Sequence, residues 1–212
     1  MEVTFIRIGT RGEEPKFEAK LMDGIPCTDR NVPEYETRAG FQIKNLLGKE
    51  VLDIGAGEVL FRKECESVGV HVIALDPYYY PKESERTNGQ GNMPIYAKNG
   101  KEGKVGALNE FLPFRNETFD AVVSVVASFG WLRGSYNTPA EQENAAKKML
   151  IEVLRVMKTG GEAHIGGFKG NAPLVDKILC NGFGSDEKLS WSWRYVDDGI
   201  FTDKILTLNK RG

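Results

Sequence analysis

The sequence contains no apolar run long enough to cross a bilayer. The longest, residues 121–132, falls short of the about 20 residues that a membrane helix requires. The amino terminus has an acid at Glu2 and lacks the apolar region of a signal peptide. Cysteine is scarce, and Cys27, Cys65 and Cys180 have neither the even number of a disulfide framework nor the spacing of a metal site. We therefore predict a cytoplasmic protein with no metal site and no membrane segment.

A large net charge of either sign is also absent. The chain has 28 basic and 30 acidic residues, and a formal charge of −2 creates no general field that would attract nucleic acid or an anionic membrane. The length of 212 residues predicts a single domain. Residues 1–32 are expected to form an amino-terminal extension, in which residues 2–8 and 16–22 have the pattern of a β-hairpin.

Strand and helix patterns alternate along the rest of the chain. Residues 50–54 and 70–75 are apolar almost throughout, which is typical of parallel strands covered by helices on both faces. Further strands are predicted at residues 104–111, 119–126, 162–168, 189–196 and 200–208, and helices at residues 31–47, 58–68, 138–157 and 171–182. Gly48 and the pair Gly160-Gly161 are predicted to end two of the helices, and Asp197-Asp198-Gly199 is a hairpin turn signal. The order predicts a doubly wound, Rossmann-like α/β fold, with a mostly parallel seven-stranded sheet and an antiparallel C-terminal hairpin strand.

A glycine-rich turn follows the first of the apolar strands, in the segment Val51-Leu52-Asp53-Ile54-Gly55-Ala56-Gly57-Glu58. Glycine at positions 55 and 57 permits a tight turn and lets a ligand approach the main chain. The helix predicted to follow directs its unpaired N–H groups and the positive end of its dipole at the same place. A turn of this kind at the carboxyl end of a strand predicts a nucleotide-type ligand site.

Four motifs in order resemble those of class I S-adenosylmethionine-dependent methyltransferases, in the group with a small-molecule-type methyltransferase domain. The first is Val51 to Gly57 and the second is Ala74 to Pro77. The third begins with Leu112-Pro113-Phe114 and continues through the strand segment Phe119 to Ser124, and the fourth is Glu152 to Gly161. A dinucleotide fingerprint fits less well, because Leu60 stands where its third glycine is required. No phosphate-binding loop of the Gly-x-x-x-x-Gly-Lys-Ser/Thr type is present.

The resemblance implies S-adenosylmethionine as cofactor. It implies that Gly55, Ala56 and Gly57 lie against the methionine and ribose parts, that Asp53 lies near the methionine amino group or within the turn, and that Asp76 accepts hydrogen bonds from the ribose hydroxyls. Pro77 is implied to flank the adenine, and Val126 to complete the cofactor site.

The chain departs from the family pattern at two positions. Val59 replaces a third glycine, and Leu108 occupies the position of an acid that contacts the adenine amino group, where Asn109 offers an amide oxygen instead. Both departures leave open a cofactor-binding protein without transferase activity.

The loop after the strand at residues 119–126 is expected to overhang the acceptor pocket, with Ser128, Phe129 and Trp131 binding the substrate; the alternative is that these aromatics belong to the core. The loop lacks the Asn/Asp-Pro-Pro-Tyr/Phe and Pro-Cys motifs of DNA methyltransferases. His71 and His164 are predicted to be structural, so no catalytic base is identified. The leading hypothesis is in-line attack of a small-molecule acceptor on the sulfonium methyl. An RNA or protein acceptor remains an alternative, and the oligomeric state is left open.

Overall fold

One β-sheet organises the protein, which we describe from a computed structural model over residues 30–57, 60–76, 104–105, 109–130, 132–183, 187–197 and 202–212. Its strands are β1 (Glu50–Ile54), β2 (His71–Leu75), β3 (Lys104–Val105), β4 (Phe119–Val125), β5 (Met157–Gly166), β6 (Leu189–Asp197) and β7 (Thr202–Lys210). The spatial order is β3-β2-β1-β4-β5-β7-β6. The pairings from β3 to β5 are parallel, whereas β7 runs antiparallel between β5 and β6. The predicted mostly parallel sheet with an antiparallel C-terminal hairpin is confirmed.

The helices cover both faces of this sheet. They are α1 (Val32–Ala39), α2 (Leu60–Ser67), α3 (Leu132–Ser135), α4 (Pro139–Val156) and α5 (Ala172–Phe183), with a 3-10 turn at Ile43–Leu46. Alternate residues of β1 point to opposite faces: Leu52 packs in the cluster under α4 and α5, and Val51 packs in the cluster under α1 and α2. Within the described ranges, none of the helices has the length and apolar character that a membrane span requires.

The predicted third strand at residues 104–111 is shorter than expected. Lys104 and Val105 pair with Ala74 and Leu75, but residues 109–110 already form a turn. Residues 106–108, like the predicted hairpin at residues 2–8 and 16–22 and the turn residues Asp198 and Gly199, lie outside the described residues.

The helix predicted for residues 31–47 is wrong as a single element. The observed helix α1 begins with a capping box, in which the side chains of Asn31 and Glu34 each accept a hydrogen bond from the other residue's backbone N–H. It ends at Gly40, whose N–H bonds to the Glu36 carbonyl while its own backbone is left-handed. The side chains of Arg194 in β6 and Ile205 in β7 lie close to Gly40, so this end of α1 packs against the C-terminal hairpin.

The helix predicted for residues 138–157 is confirmed as α4, but the pair Gly160-Gly161 does not end it. A capping box at Thr138 begins this helix, which ends at Val156, and Met157 is already extended. Met157 is fully buried and pairs with Phe119, so β5 begins at residue 157 instead of residue 162. Burial of this side chain in the sheet determines the boundary, and both glycines fall within β5.

A charged pair in the last turns of α4 holds the loop that precedes β4. The Glu152 carboxylate accepts the Leu112 N–H at 2.8 Å, and the Arg155 guanidinium donates to the carbonyls of Leu112 and Phe114 at 2.8 and 2.6 Å. Glu152 and Arg155 also bind each other at 2.7 Å. Two motifs separated by about 40 residues in sequence are thus one hydrogen-bonded unit.

This unit predicts the effect of removing Arg155. Arg155→Ala leaves two carbonyls and the Glu152 carboxylate without their donor, and we expect a loss of ~2–4 kcal/mol in the free energy of unfolding. Lys177→Ala, which removes an exposed ion pair with Glu143, should cost at most about 0.5 kcal/mol. Urea unfolding at neutral pH measures both, and equal losses in the two variants would contradict the assigned role of Arg155.

Candidate functional site

The glycine turn after β1 lies between the end of β2 and the loop that follows β4. The N–H groups of Gly55 and Ala56 both donate to the Leu75 carbonyl, at 2.7 and 3.2 Å. Gly55 has φ +77°, and a Cβ placed on it would lie 1.9 Å from Cβ of Ala127. Position 55 therefore requires glycine both for its backbone conformation and for lack of space.

Asp76 follows β2 and lies beside the same turn. Its N–H donates to the Val105 carbonyl at 3.0 Å, and its carboxylate accepts the Gly57 N–H at 3.1 Å. The predicted cofactor residues Gly55, Gly57 and Asp76 are thus brought together at the carboxyl ends of β1 and β2. Pro77, also predicted for this site, lies outside the described residues.

Asp53 lies directly below the turn and is fully buried. Both of its carboxylate oxygens accept a hydrogen bond from the Tyr35 hydroxyl, at 2.8 and 3.0 Å. Burial is the main reason why the pKa of Asp53 is raised to about 8. The negative charge of Asp76 acts in the same direction, whereas the Tyr35 hydrogen bond and the positive charge of Arg30 lower the pKa.

Tyr35, the partner of Asp53, was not predicted from the sequence. It is buried in α1, and its ring stacks on Phe61 of α2 with centroids 3.9 Å apart. Nothing local in the sequence indicates that its hydroxyl bonds to an acid 18 residues later.

The ends of β4 and β5 approach each other through main-chain atoms. Val126 has φ +58°, a strained conformation for a β-branched residue, and its N–H donates to the Gly166 carbonyl at 2.8 Å. A Cβ on Gly167 would lie 2.5 Å from Cα of Val126. The predicted cofactor residue Val126 is therefore held in place at this edge by the neighbouring strand.

Ser128 and Phe129 of the loop after β4 are buried. The hydroxyl of Ser128 bonds to the hydroxyl of Ser124 at 2.8 Å, and Ser124 donates to the Ile54 carbonyl at 2.9 Å. Phe129 stacks on Phe168 at 5.4 Å and is only 1% exposed. Of the two predicted placements, the Phe129 side chain therefore has the one in the core, and it is not accessible to a substrate in this structure. Trp131 lies outside the described residues.

A second buried acid lies in the turn before Leu112. Glu110 is 8% exposed and accepts a hydrogen bond from the Tyr136 hydroxyl, and burial raises the pKa of this carboxyl. The sequence singled out its neighbours instead: Asn109 is half-buried in the same turn, and Leu108 lies outside the described residues. The signal for Glu110 was its place two residues before the Leu-Pro-Phe motif.

Neither histidine lies where a catalytic base is needed. His71 is exposed at the amino end of β2, which is the opposite end of the sheet from the glycine turn. Its Nδ1 lies 2.5 Å from a Glu50 carboxylate oxygen. His164 is buried in β5, with its ring 5.6 Å from that of Phe41. The predicted placements are thus observed, an exposed His71 and a packed His164, and their purely structural role stays a prediction.

Solved structures of methyltransferases resemble this chain over most of its length. A protein from Methanococcus maripaludis, assigned as an S-adenosyl-L-methionine-dependent methyltransferase, is 18% identical, with 96% of this chain and 98% of that chain covered and a TM-score of 0.50. The Burkholderia thailandensis 1,6-didemethyltoxoflavin N1-methyltransferase, solved with 1,6-didemethyltoxoflavin and S-adenosylhomocysteine, is 13% identical over 80% of this chain and 76% of that chain, with a TM-score of 0.49. At such identities the likeness supports the fold alone.

The family itself is established by sequence. No curated protein matches the chain. A family model described as a methyltransferase domain matches residues 52–165, which is more than half of the 212 residues and includes the glycine turn, Asp76 and the hydrogen-bonded unit of Glu152 and Arg155. The chain therefore belongs to the methyltransferase domain family, and it is an enzyme that uses S-adenosylmethionine.

Proposed function

We propose that the cofactor binds over the glycine turn and that its methyl group is transferred to a small molecule. The proposal is carried by one observation, the hydrogen bond from the Gly57 N–H to the Asp76 carboxylate, because it brings the turn and the predicted ribose-binding acid into one site. In this proposal Gly55, Ala56 and Gly57 approach the cofactor through their main chain, and Asp76 binds the ribose hydroxyls.

The residues fit a cationic ligand. Asp53 is a buried carboxyl that forms no ion pair with any of the described residues, and Asp76 adds a second acid beside it. S-adenosylmethionine brings an ammonium and a sulfonium group, whose positive charges complement these two carboxyls. Pro77, Asn109 and Val126 are proposed to complete the site, together with position 108.

Transfer requires alignment above all. The cofactor when bound supplies an activated methyl group on a good leaving group, so the protein's task is to place an acceptor atom in line with it. Orientation of this kind contributes on the order of 7–11 kcal/mol when the geometry is good. Neither histidine is in a position to act as a base, which favours an acceptor that needs no deprotonation or one served by a carboxyl such as Glu110.

The charge at this edge favours a small-molecule acceptor over RNA. Asp76 places an acidic side chain at the carboxyl end of β2, beside the glycine turn, and acidic side chains repel phosphodiesters. Ser128, Phe129 and Trp131 stay predicted acceptor-side residues, and this role requires the aromatic ring of Phe129 to leave its packed position. The cytoplasmic location and the single-domain organisation likewise stay predictions.

Asp76→Ala tests the ribose-binding role. Loss of a charged acceptor for two hydroxyls should weaken S-adenosylhomocysteine binding about 10- to 100-fold, with a matching loss of ligand-induced thermal stabilisation. The control is Asp120→Ala at the opposite edge of the sheet, since Asp120 also accepts a backbone N–H, that of Glu50 at 2.9 Å. It should lose some stability yet keep the affinity of the wild type.

Specificity and activity are separate readouts of the same preparation. S-adenosylmethionine and S-adenosylhomocysteine should stabilise the protein, and NAD and ATP should not. Transfer of labelled methyl to small molecules, RNA and protein then identifies the acceptor class. Transfer to RNA or protein and to none of the small molecules would contradict the proposed acceptor class.

Gly55→Ala tests the close approach at the turn. The new methyl group meets Ala127 and a left-handed backbone together, so we expect a destabilisation on the order of 3 kcal/mol or more and loss of cofactor binding. Gly48→Ala is the matched control, because Gly48 has φ +72° but open space around it. It should cost about 1 kcal/mol and leave binding unchanged. Calorimetric titration and urea unfolding of both variants give the answer, and equal effects would refute the steric argument.

A further inference from the structure

The acid below the turn is held by an uncharged donor. The Tyr35 hydroxyl reaches both oxygens of Asp53, and Asp53 itself is fully buried. A buried carboxylate is normally paired with a cation or given several hydrogen bonds. Among the described residues Asp53 has the single phenol, so the fold leaves it short of positive charge.

The surroundings of Asp53 do not supply that charge. Asp76 after β2 is a second acid, and the thiol of Cys65 in α2 lies close enough for Asp53 to raise its pKa. Arg30, just before α1, acts on Asp53 by its charge but forms no ion pair with it. On the same face of the sheet, His164 of β5 stands two strands away at the same register, with Val123 between them.

We propose that Tyr35 is a positioning residue for the amino-acid end of the cofactor, and that through Tyr35 the buried Asp53 carboxyl is kept ready to release its proton when the ligand's ammonium group binds. This inference rests on the cofactor site proposed above. In the step, the O–H bond of the carboxyl breaks and the proton passes to the buffer. The new carboxylate then pairs with the ammonium while the Tyr35 hydroxyl continues to donate to it.

The raised pKa of Asp53 determines how stability and ligand affinity change with pH. The free protein holds Asp53 mostly protonated at neutral pH, since its pKa is about 8, against about 3.9 in an unfolded chain. The stability contributed by this group therefore falls as pH rises from about 4 to about 8. Ligand affinity changes in the opposite direction over the upper part of this range, because the ionised carboxyl binds the cation.

Calorimetric titration of the full chain with S-adenosylhomocysteine, in two buffers of different ionisation enthalpy, counts the protons released. At pH 7 we expect close to one proton per ligand, decreasing as the pH approaches 8 because more of Asp53 is already ionised in the free protein. Affinity should decrease by up to tenfold for each pH unit below 8. Adenosine, which lacks the amino-acid end, should release no proton.

Tyr35→Phe separates positioning from packing. It removes a hydrogen bond that stabilises the carboxylate, so the midpoint of the affinity profile should move to higher pH, with binding weaker at pH 7 and close to that of the wild type at pH 9. Phe61→Leu removes the stacked ring but keeps the hydroxyl, and it should retain both the midpoint and the proton count. Asp53→Asn should bind with no proton release and no such profile.

Each of the other outcomes overturns a stated part. Binding without proton release in the wild type refutes the inference while the cofactor site stands, and this measurement needs no variant to fold. If Tyr35→Phe weakens the affinity for S-adenosylhomocysteine by the same factor at every pH, Tyr35 has a merely structural role. Proton release on binding of S-adenosylmethionine but not of S-adenosylhomocysteine refutes the assignment to the ammonium group, because both ligands carry that group. Absence of binding refutes the cofactor site itself.

Discussion

Main-chain contact at the carboxyl edge of the sheet is the constraint on which the site depends. Gly55 leaves no room for a side chain against Ala127, and Gly167 leaves none against Val126. Since these contacts join the ends of β1, β4 and β5, the three strand ends keep a fixed relative position without any bulky side chain between them. A ligand at this edge therefore meets backbone, and the few side chains that reach it are presented from a rigid base. Packed main chain does not deform continuously, so the position of Asp53 below the turn is fixed by the sheet register and not by the loops.

At each end of the sheet a carboxylate accepts a hydrogen bond from a backbone N–H, but the charges around the two carboxylates differ. At the amino end, Asp120 accepts the Glu50 N–H and is balanced by Lys158 at 2.9 Å, which lowers its pKa despite the opposing effect of partial burial. At the carboxyl end, Asp76 accepts the Gly57 N–H beside the second acid Asp53. The first arrangement is neutralised within the fold and is structural. In the second, two acidic side chains lie close together where a cationic cofactor is proposed to bind, and none of the described residues forms an ion pair with Asp53.

Local sequence patterns predicted most strands and helices, because their apolar periodicity and caps are encoded within each segment. Two boundaries were missed: the glycine cap at Gly40, a local signal, ends α1 before Gly48, and pairing of Met157 with Phe119 starts β5 early. The site follows the same division. Asp53, Gly55 and Asp76 were predicted as site residues because they belong to contiguous motifs, and their role stays a prediction. The hydrogen bonds of Tyr35 and Glu110 could not be predicted, since their partners are brought to them only by the fold. The burial of Phe129 likewise depends on Phe168, a contact that no local pattern records.

The choice of a phenol as the partner of Asp53 has a further consequence for how stability and binding are divided. An arginine or lysine at position 35 would neutralise the acid and stabilise the free protein, but it would also repel the positive charge of the ligand. Tyrosine donates a hydrogen bond without adding charge, so in the proposed site the ammonium group of the ligand would supply the positive charge that Asp53 lacks among the described residues. On this proposal, the cost of burying the acid in the free protein would be recovered as binding free energy. Stacking on Phe61 keeps the hydroxyl aimed at both oxygens, which lets a neutral side chain hold a buried acid in one orientation for a cation that arrives later.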